Sequence, residues 1–210
     1  MKRTVNEILE VLVGLGVIAL VLWLWWQPAV KPVPAFGGSP MLVQLADGAR
    51  YFQRDPRWAG KPLGGSADTV GSAGCAVTSA AMAMTNLGYA IDPGQLSGAL
   101  TAKGGFTDEG WLVWDSVRHV SKGTLRVEVH KQPSLEKLDA CLAAGDYPLV
   151  KFLLKSGYPH WVLLVGKREG TYLMRDPLVN EAAPSPLTRR TQVILSVRCI
   201  GRVRQAENRR

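Results

Sequence analysis

The sequence predicts an α+β domain, a helical part followed by an antiparallel sheet, behind one N-terminal transmembrane helix. Three observations carry that expectation. Residues 8–26, ILEVLVGLGVIALVLWLWW, form an apolar run whose only charge is Glu10. A Gly- and Ser-bearing loop leads into the Ala-, Met- and Thr-rich stretch TVGSAGCAVTSAAMAMTNLG, residues 69–88. Strand-like runs at 126–130, 148–155, 161–166, 171–176 and 191–199 fill the second half of the chain.

Bulk properties bound the function before any motif does. The 210 residues suit one core with an appendage. A composition that is 47% hydrophobic and 20% charged excludes a disordered polyelectrolyte. Three cysteines without a CxxC or CxxH spacing argue against a disulfide scaffold and a structural zinc site. Lys and Arg outnumber Asp and Glu by 25 to 17, a net charge of +8, which suits membrane, wall polymer or nucleic acid alike.

The apolar run comes first along the chain. Nineteen helical residues rise roughly 28 Å, close to the hydrocarbon thickness of a bilayer. Trp23, Trp25 and Trp26 stand at its far end, where indoles favour the headgroup region. Lys2 and Arg3 precede it and Lys31 follows, so charge counting puts the N-terminus in the cytoplasm and the body outside. Residues 1–7 are then a short cytoplasmic segment. The alternatives are a signal peptide cleaved after Val33–Ala35, giving a secreted protein, and a buried core helix. The segment 27–40, QPAVKPVPAFGGSP, reads as a Pro/Gly-rich spacer with polyproline character. The folded domain is expected over 41–202, with 203–210 a basic tail.

Within the domain, Cys75 falls where a loop becomes a helix. Unpaired N–H groups and the helix dipole there favour a thiolate, the nucleophilic form of cysteine. Gly74 presents no side chain to obstruct a substrate approaching the sulfur. The plainer reading is a small buried hydrophobe. His160 and Asp176 lie in HWVLLVGKREGTYLMRDP, which reads as two strands, 161–166 and 171–176, joined by the polar turn GKREG. In a hairpin centred on Arg168 the two residues oppose each other, so the carboxylate can orient the imidazole and stabilise its protonated form. A solvated His–Asp cross-strand pair is the alternative. His119 and His130 read as ordinary surface residues.

Four blocks in order, YFQRDPRWAGKPLGG, TVGSAGCAVTSAAMAM, GYPHWVLLVG and YLMRDP, resemble the stand-alone relatives of the bacteriocin-leader (double-glycine) peptidases, cysteine peptidase family 39 of the papain-like superfamily. The resemblance covers most of residues 48–180. It implies a papain-like fold in which Cys75 is the nucleophile, His160 the general base and Asp176 the acid that orients it. It further implies that Gln53 donates to the oxyanion, although Gln53 precedes Cys75 by 22 positions, farther than in many papain-like enzymes. GGFTDEGWLVWDSV, residues 104–117, also resembles the family, and Trp111 either lines the cleft or packs in a core-facing helix.

The expected chemistry is cysteine-peptidase hydrolysis of a peptide or protein substrate through an acyl-enzyme, without cofactor or metal. Two other functions use the same residues: a cell-wall amidase or transpeptidase, and a catalytically silent peptide-binding module. A zinc site of Cys75, His160 and Asp176 is chemically possible, but a helix-terminal thiolate needs no metal. No nucleic-acid motif supports a nucleic-acid partner, and no GxxxxGK[ST] indicates a fused ATPase. Cys141, in the amphipathic segment SLEKLDACLAAG, and Cys199, at the end of TQVILSVRC, either form a disulfide or remain buried thiols.

Overall fold

Alternate residues of the central strands point into two different cores, and that alternation organises the molecule. The computed structural model describes residues 10–18, 30–130 and 132–204, which fall into two units, Met1–Val30 and Lys31–Arg210. In the first unit residues 10–18 are helical. The rest of the expected span, residues 8–9 and 19–26, lies outside the described residues, as do residues 1–7 and 205–210. Among the described residues no helix is long and apolar enough to cross a membrane.

The second unit is α+β. Its strands are β1 (Val33–Pro34), β2 (Phe36–Gln44), β3 (Leu125–His130), β4 (Tyr147–Leu153), β5 (Pro159–Arg175), β6 (Ser185–Pro186), β7 (Val193–Ile194) and β8 (Ser196–Arg202). Its helices are α1 (Val70–Ala73), α2 (Cys75–Asn86), α3 (Pro93–Thr101), α4 (Ser116–Val120) and α5 (Leu135–Ala143). The main sheet is antiparallel in the order β2-β5-β4-β8-β3, with β6 also paired to β5. Leu149, Leu163, Val165 and Ile200 face one core with α2, α3 and α4 residues. Val150, Val162, Leu164 and Val197 face the other, closed by Leu138 and Leu142 of α5. Period-two burial on both faces explains why β4 reads as an almost continuous apolar run.

Helix α2 is buried along nearly its whole length, from Cys75 to Met84. Its Ala76, Ser79, Ala80 and Ala83 allow close approach of the sheet, and Ser79 Oγ donates to the Trp161 carbonyl of β5 at 3.2 Å. A one-turn helix delivers the chain to it: the Thr69 hydroxyl caps α1 through the Ser72 amide, and the Ser72 side chain accepts from the Thr69 amide.

Three sequence expectations change here. The stretch 27–40 is not all spacer, because β1 and β2 begin at Val33 and Phe36 and the compact unit begins at Lys31. The prolines fit since β2 is an edge strand whose register shifts between Phe36 and Met41. Gly37 and Gly38, at φ +114° and +75°, form the irregularity. Second, 161–166 and 171–176 belong to one strand element, β5, running through GKREG. The polar turn residues are ladder-paired because β2 lies along them, with Met41 opposite Glu169 and Leu42 opposite Arg168. Seventeen extended residues would span about 55 Å, yet side chains from its two ends meet, so β5 doubles back. Glu169, at φ +54°, marks the reversal. The last expected strand, 191–199, divides into β7 and β8.

Candidate active site

The ends of β5 and the start of α2 converge on one buried spot. His160, 1% exposed, occupies the second position of β5, with the Phe152 ring 5.5 Å from its own. Its Nε2 lies 2.8 Å from Oδ1 of Asp176, the residue just past the other end of β5. The same Oδ1 accepts from the Leu178 amide at 2.8 Å, which fixes the carboxylate in the turn after the strand. With Nε2 committed to Asp176, Nδ1 is the ring nitrogen left for Cys75, whose sulfur neighbours the ring and itself donates to the Ala73 carbonyl at 4.0 Å.

Burial opposes charge on His160, but the Asp176 hydrogen bond and the neighbouring Cys75 sulfur outweigh it and raise its pKa to about 9. For Asp176 burial acts upward, while the bond and charge of His160, the Leu178 amide and the Arg190 guanidinium hold the carboxyl below its ordinary value. Arg190 Nε stands 2.7 Å from Asp176 Oδ2. That oxygen still lacks an aligned hydrogen bond, so Arg190 contributes charge and little direction. Nothing local in the sequence marks Arg190, which reaches the site from the turn after a 3₁₀ segment, Leu187–Arg189.

Cys75 is the first residue of α2, is buried, and is free. The first amides of a helix have no intrahelical acceptor, so they face whatever approaches the sulfur. Gly74 plays a part the sequence did not suggest. It joins α1 to α2, and a Cβ there would fall 2.5 Å from the Val70 carbonyl oxygen. The close turn between two helices requires glycine, independently of substrate access.

Gln53 is 2% exposed. Its amide N–H donates to the Pro177 carbonyl at 2.8 Å, beside Asp176, and its Nε2 donates to the Gly71 carbonyl at 3.1 Å, in the turn before Cys75. The second Nε2 hydrogen is left over, and Oε1 is buried without a partner. The structure therefore brings Gln53 between the Asp176 turn and the approach to Cys75. Trp111 belongs to no helix, which excludes a place in a core-facing helix; it stands 70% exposed in a loop closed by the Phe106–Leu112 bridge. A cavity of about 20 Å³ adjoins Asp176, between Tyr51, Met82 and Val179, room for a water and no more.

Cys141 and Cys199 form a disulfide. His119 is largely exposed, as expected, but the His130 side chain is only 19% exposed and burial lowers its pKa. Among the described residues no group of three His, Cys, Asp or Glu side chains could hold a metal ion, and the zinc arrangement of Cys75, His160 and Asp176 is not formed.

The fold is similar to a crystal structure from Bacillus anthracis described, provisionally, as a C39-like peptidase. The TM-score is 0.50 at 16% identity, covering 80% of this chain and 100% of the other. No protein-family model matches the chain, and no curated protein matches it. The likeness is one of fold: a mixed α+β unit with an antiparallel sheet.

Proposed function

We propose that this C39-like fold carries a cysteine peptidase in which Cys75, His160 and Asp176 hydrolyse peptide amide bonds. The observation that carries the reading is a buried imidazole gripped on one nitrogen by Asp176 at 2.8 Å, at the place where a helix starts with the free thiol of Cys75. An ordinary buried histidine has burial alone to set its charge and ends up neutral. Here the balance favours an imidazolium beside the sulfur, which is the resting state a thiolate nucleophile needs.

The chemistry follows from the placement. Cys75 sulfur attacks the amide carbonyl, and the carbonyl π electrons move onto oxygen. The Cys75 backbone N–H and the unused Nε2 hydrogen of Gln53 stabilise that oxyanion. His160 gives its proton to the leaving amine as the C–N bond breaks, leaving a thioester. Water, deprotonated by His160, then releases the acid and restores the pair. Asp176 and Arg190 hold the ring and its counter-charge throughout.

The proposal includes tethering by residues 8–26, with the catalytic domain outside the cytoplasm. The apolar run and its flanking charges support the anchor, the helical state of residues 10–18 is compatible with it, and the Cys141–Cys199 disulfide supports an oxidising compartment.

Because the other two cysteines are bonded to each other, Cys75 is the one free thiol, and its alkylation can be read without background. The test follows iodoacetamide modification of the full chain against pH in wild type, Cys75→Ala and His160→Ala, with the site read by peptide mass spectrometry. Fast modification of Cys75 well below about pH 8.5, the ordinary thiol pKa, that disappears in His160→Ala is the expected result. A slow thiol indifferent to His160 overturns the reading.

A further inference from the structure

Beside the candidate catalytic pair, three neighbouring strands present side chains that this chemistry does not use. Lys151 is opposite Trp161 in the β4–β5 ladder. Arg198 is opposite Leu149 in the β4–β8 ladder, and two-residue periodicity places Lys151 on the face of Leu149. Trp114, from the loop before α4, packs on Trp161 with ring centroids 5.0 Å apart. The Arg198 guanidinium carbon is 5.5 Å from the Trp114 ring and 5.3 Å from the Trp161 ring, and Lys151 Nζ is 6.0 Å from Trp161.

Two cations therefore share an aromatic wall, and among the described residues neither meets a carboxylate. Other cations withdrawn from solvent behave differently: Lys167 pairs with Asp139, Arg175 with Asp47 and Arg126 with Asp146. Burial lowers the pKa of Arg198 and of Lys151, and the charge of Arg198 lowers that of Lys151 further. Like charges held together while partly dehydrated are unfavourable unless an anion joins them.

Arg198 is also fixed in place. Its Nη1 donates to Ser196 Oγ at 2.7 Å and to the Val197 carbonyl at 2.8 Å. Its Nε is buried without a partner, and Nη2 has no hydrogen-bond partner among the described residues. An immobilised guanidinium with donors to spare is prepared for a planar acceptor. Trp161 follows His160 in β5 with its side chain on the other face of the strand, the face of α2. Its carbonyl accepts from Ser79, one helical turn beyond Cys75, which puts the group on the side of the sheet from which α2 presents the sulfur.

We infer that Trp114, Lys151, Trp161 and Arg198 form a subsite for a carboxylate of an acidic peptide substrate, close to the bond Cys75 attacks. The inference rests on the peptidase reading, since adjacency to Cys75 is what makes a peptide the occupant instead of another anion.

The test uses full-chain Cys75→Ala, which binds without turnover. N-acetylated, C-amidated alanine hexapeptides carrying a single Glu or a single Gln at each position in turn are titrated by calorimetry, with inorganic phosphate as a separate probe. At one or two positions the Glu peptide should bind about 10- to 100-fold more tightly than its Gln counterpart, the size of a charged hydrogen bond gained. Lys151→Met and Arg198→Gln, each added to Cys75→Ala, should remove that ratio, while Lys103→Gln, an exposed cation elsewhere, leaves it intact. Arg198 also braces β8, so Lys151→Met, checked by its melting curve, stands if Arg198→Gln fails to fold. Equal affinity for Glu and Gln peptides, including no measurable binding of either, overturns the subsite, as does a ratio that survives both substitutions or tighter binding of phosphate than of any peptide. The alkylation profile of wild-type Cys75 is independent of all these results, so failure of the peptidase reading is recognised separately.

Discussion

At His160 the signs of two shifts define a pH window. Its pKa rises from 6.5 to about 9, so the stability it contributes is fully present below 6.5 and is lost as pH climbs through about 9. Asp176 is shifted downward from 3.8, so its share is present above 3.8 and is lost as pH falls below it. The imidazolium–carboxylate pair is therefore worth most between about pH 4 and 6.5. Asp176→Asn should lose most melting temperature relative to wild type in that window, and the gap should narrow toward pH 9. A gap independent of pH would assign Asp176 a packing role only. The same substitution should shift the alkylation profile of Cys75 toward that of an ordinary thiol. Gln53→Ala, which removes the donor proposed for the oxyanion, should lower kcat by about 10²–10³ while Cys75→Ala abolishes turnover. Cys75, His160 and Asp176 were legible because glycines, prolines and a helix start frame them in the chain. Arg190 was not, since an arginine between Arg189 and Thr191 carries no local sign of a partner 14 positions away.

At the scale of elements, the strand ladder overrode what composition suggested. The turn GKREG looked solvated, yet Lys167 is fully buried. Its Nζ meets Asp139 Oδ1 of α5 at 2.6 Å and the Ser39 carbonyl of β2 at 2.9 Å, and the Tyr172 hydroxyl donates to the same Asp139 oxygen at 2.8 Å. The Ser39 amide donates to the other Asp139 oxygen at 2.7 Å. Gly38 leaves the room: a Cβ there would sit 2.4 Å from Asp139 Oδ2. This cluster ties β2, the first long strand of the folded unit, to both α5 and β5. Nothing within the proline-rich stretch could announce it, because its partners lie about 100 residues away. Asp139→Asn should strand a buried ammonium and cost about 3–5 kcal/mol, a fall of roughly 6–20 °C in Tm for a domain this size. Replacing both charges, Lys167→Met with Asp139→Leu, should recover a large part of that loss. If the double variant melts no higher than Asp139→Asn, the loss comes from displaced β2 packing and the stranded charge is not its cause.

Across the whole molecule, the two faces of one sheet are stabilised by different means. The α2 face carries the larger apolar core, and the candidate active site lies where the start of α2 meets the ends of β5. The α5 face has a smaller core and the Cys141–Cys199 bridge, which ties α5 to β8 across a sequence separation of 58. The α+β class and the order of helices before most strands were legible from periodicity. The assignment of each face to its core was not, since β4 and β5 are apolar on both sides and offer no alternation to read. Closing a loop of that length restricts the unfolded chain by about 4 kcal/mol in the chain-entropy picture. Cys141→Ala with Cys199→Ala should therefore lower Tm by roughly 8–16 °C. Because the bridge joins α5 to β8, and β4 lies between β8 and the β5 that carries His160, the double variant, kept well below its melting point, should retain the wild-type pH profile of Cys75 alkylation. A wild-type Tm in this variant would show that the bridge adds nothing to the fold. A lost low-pH reactivity with the fold intact would instead mean that the restraint on β8 reaches β5 through β4, and that α5 helps hold His160 against Cys75.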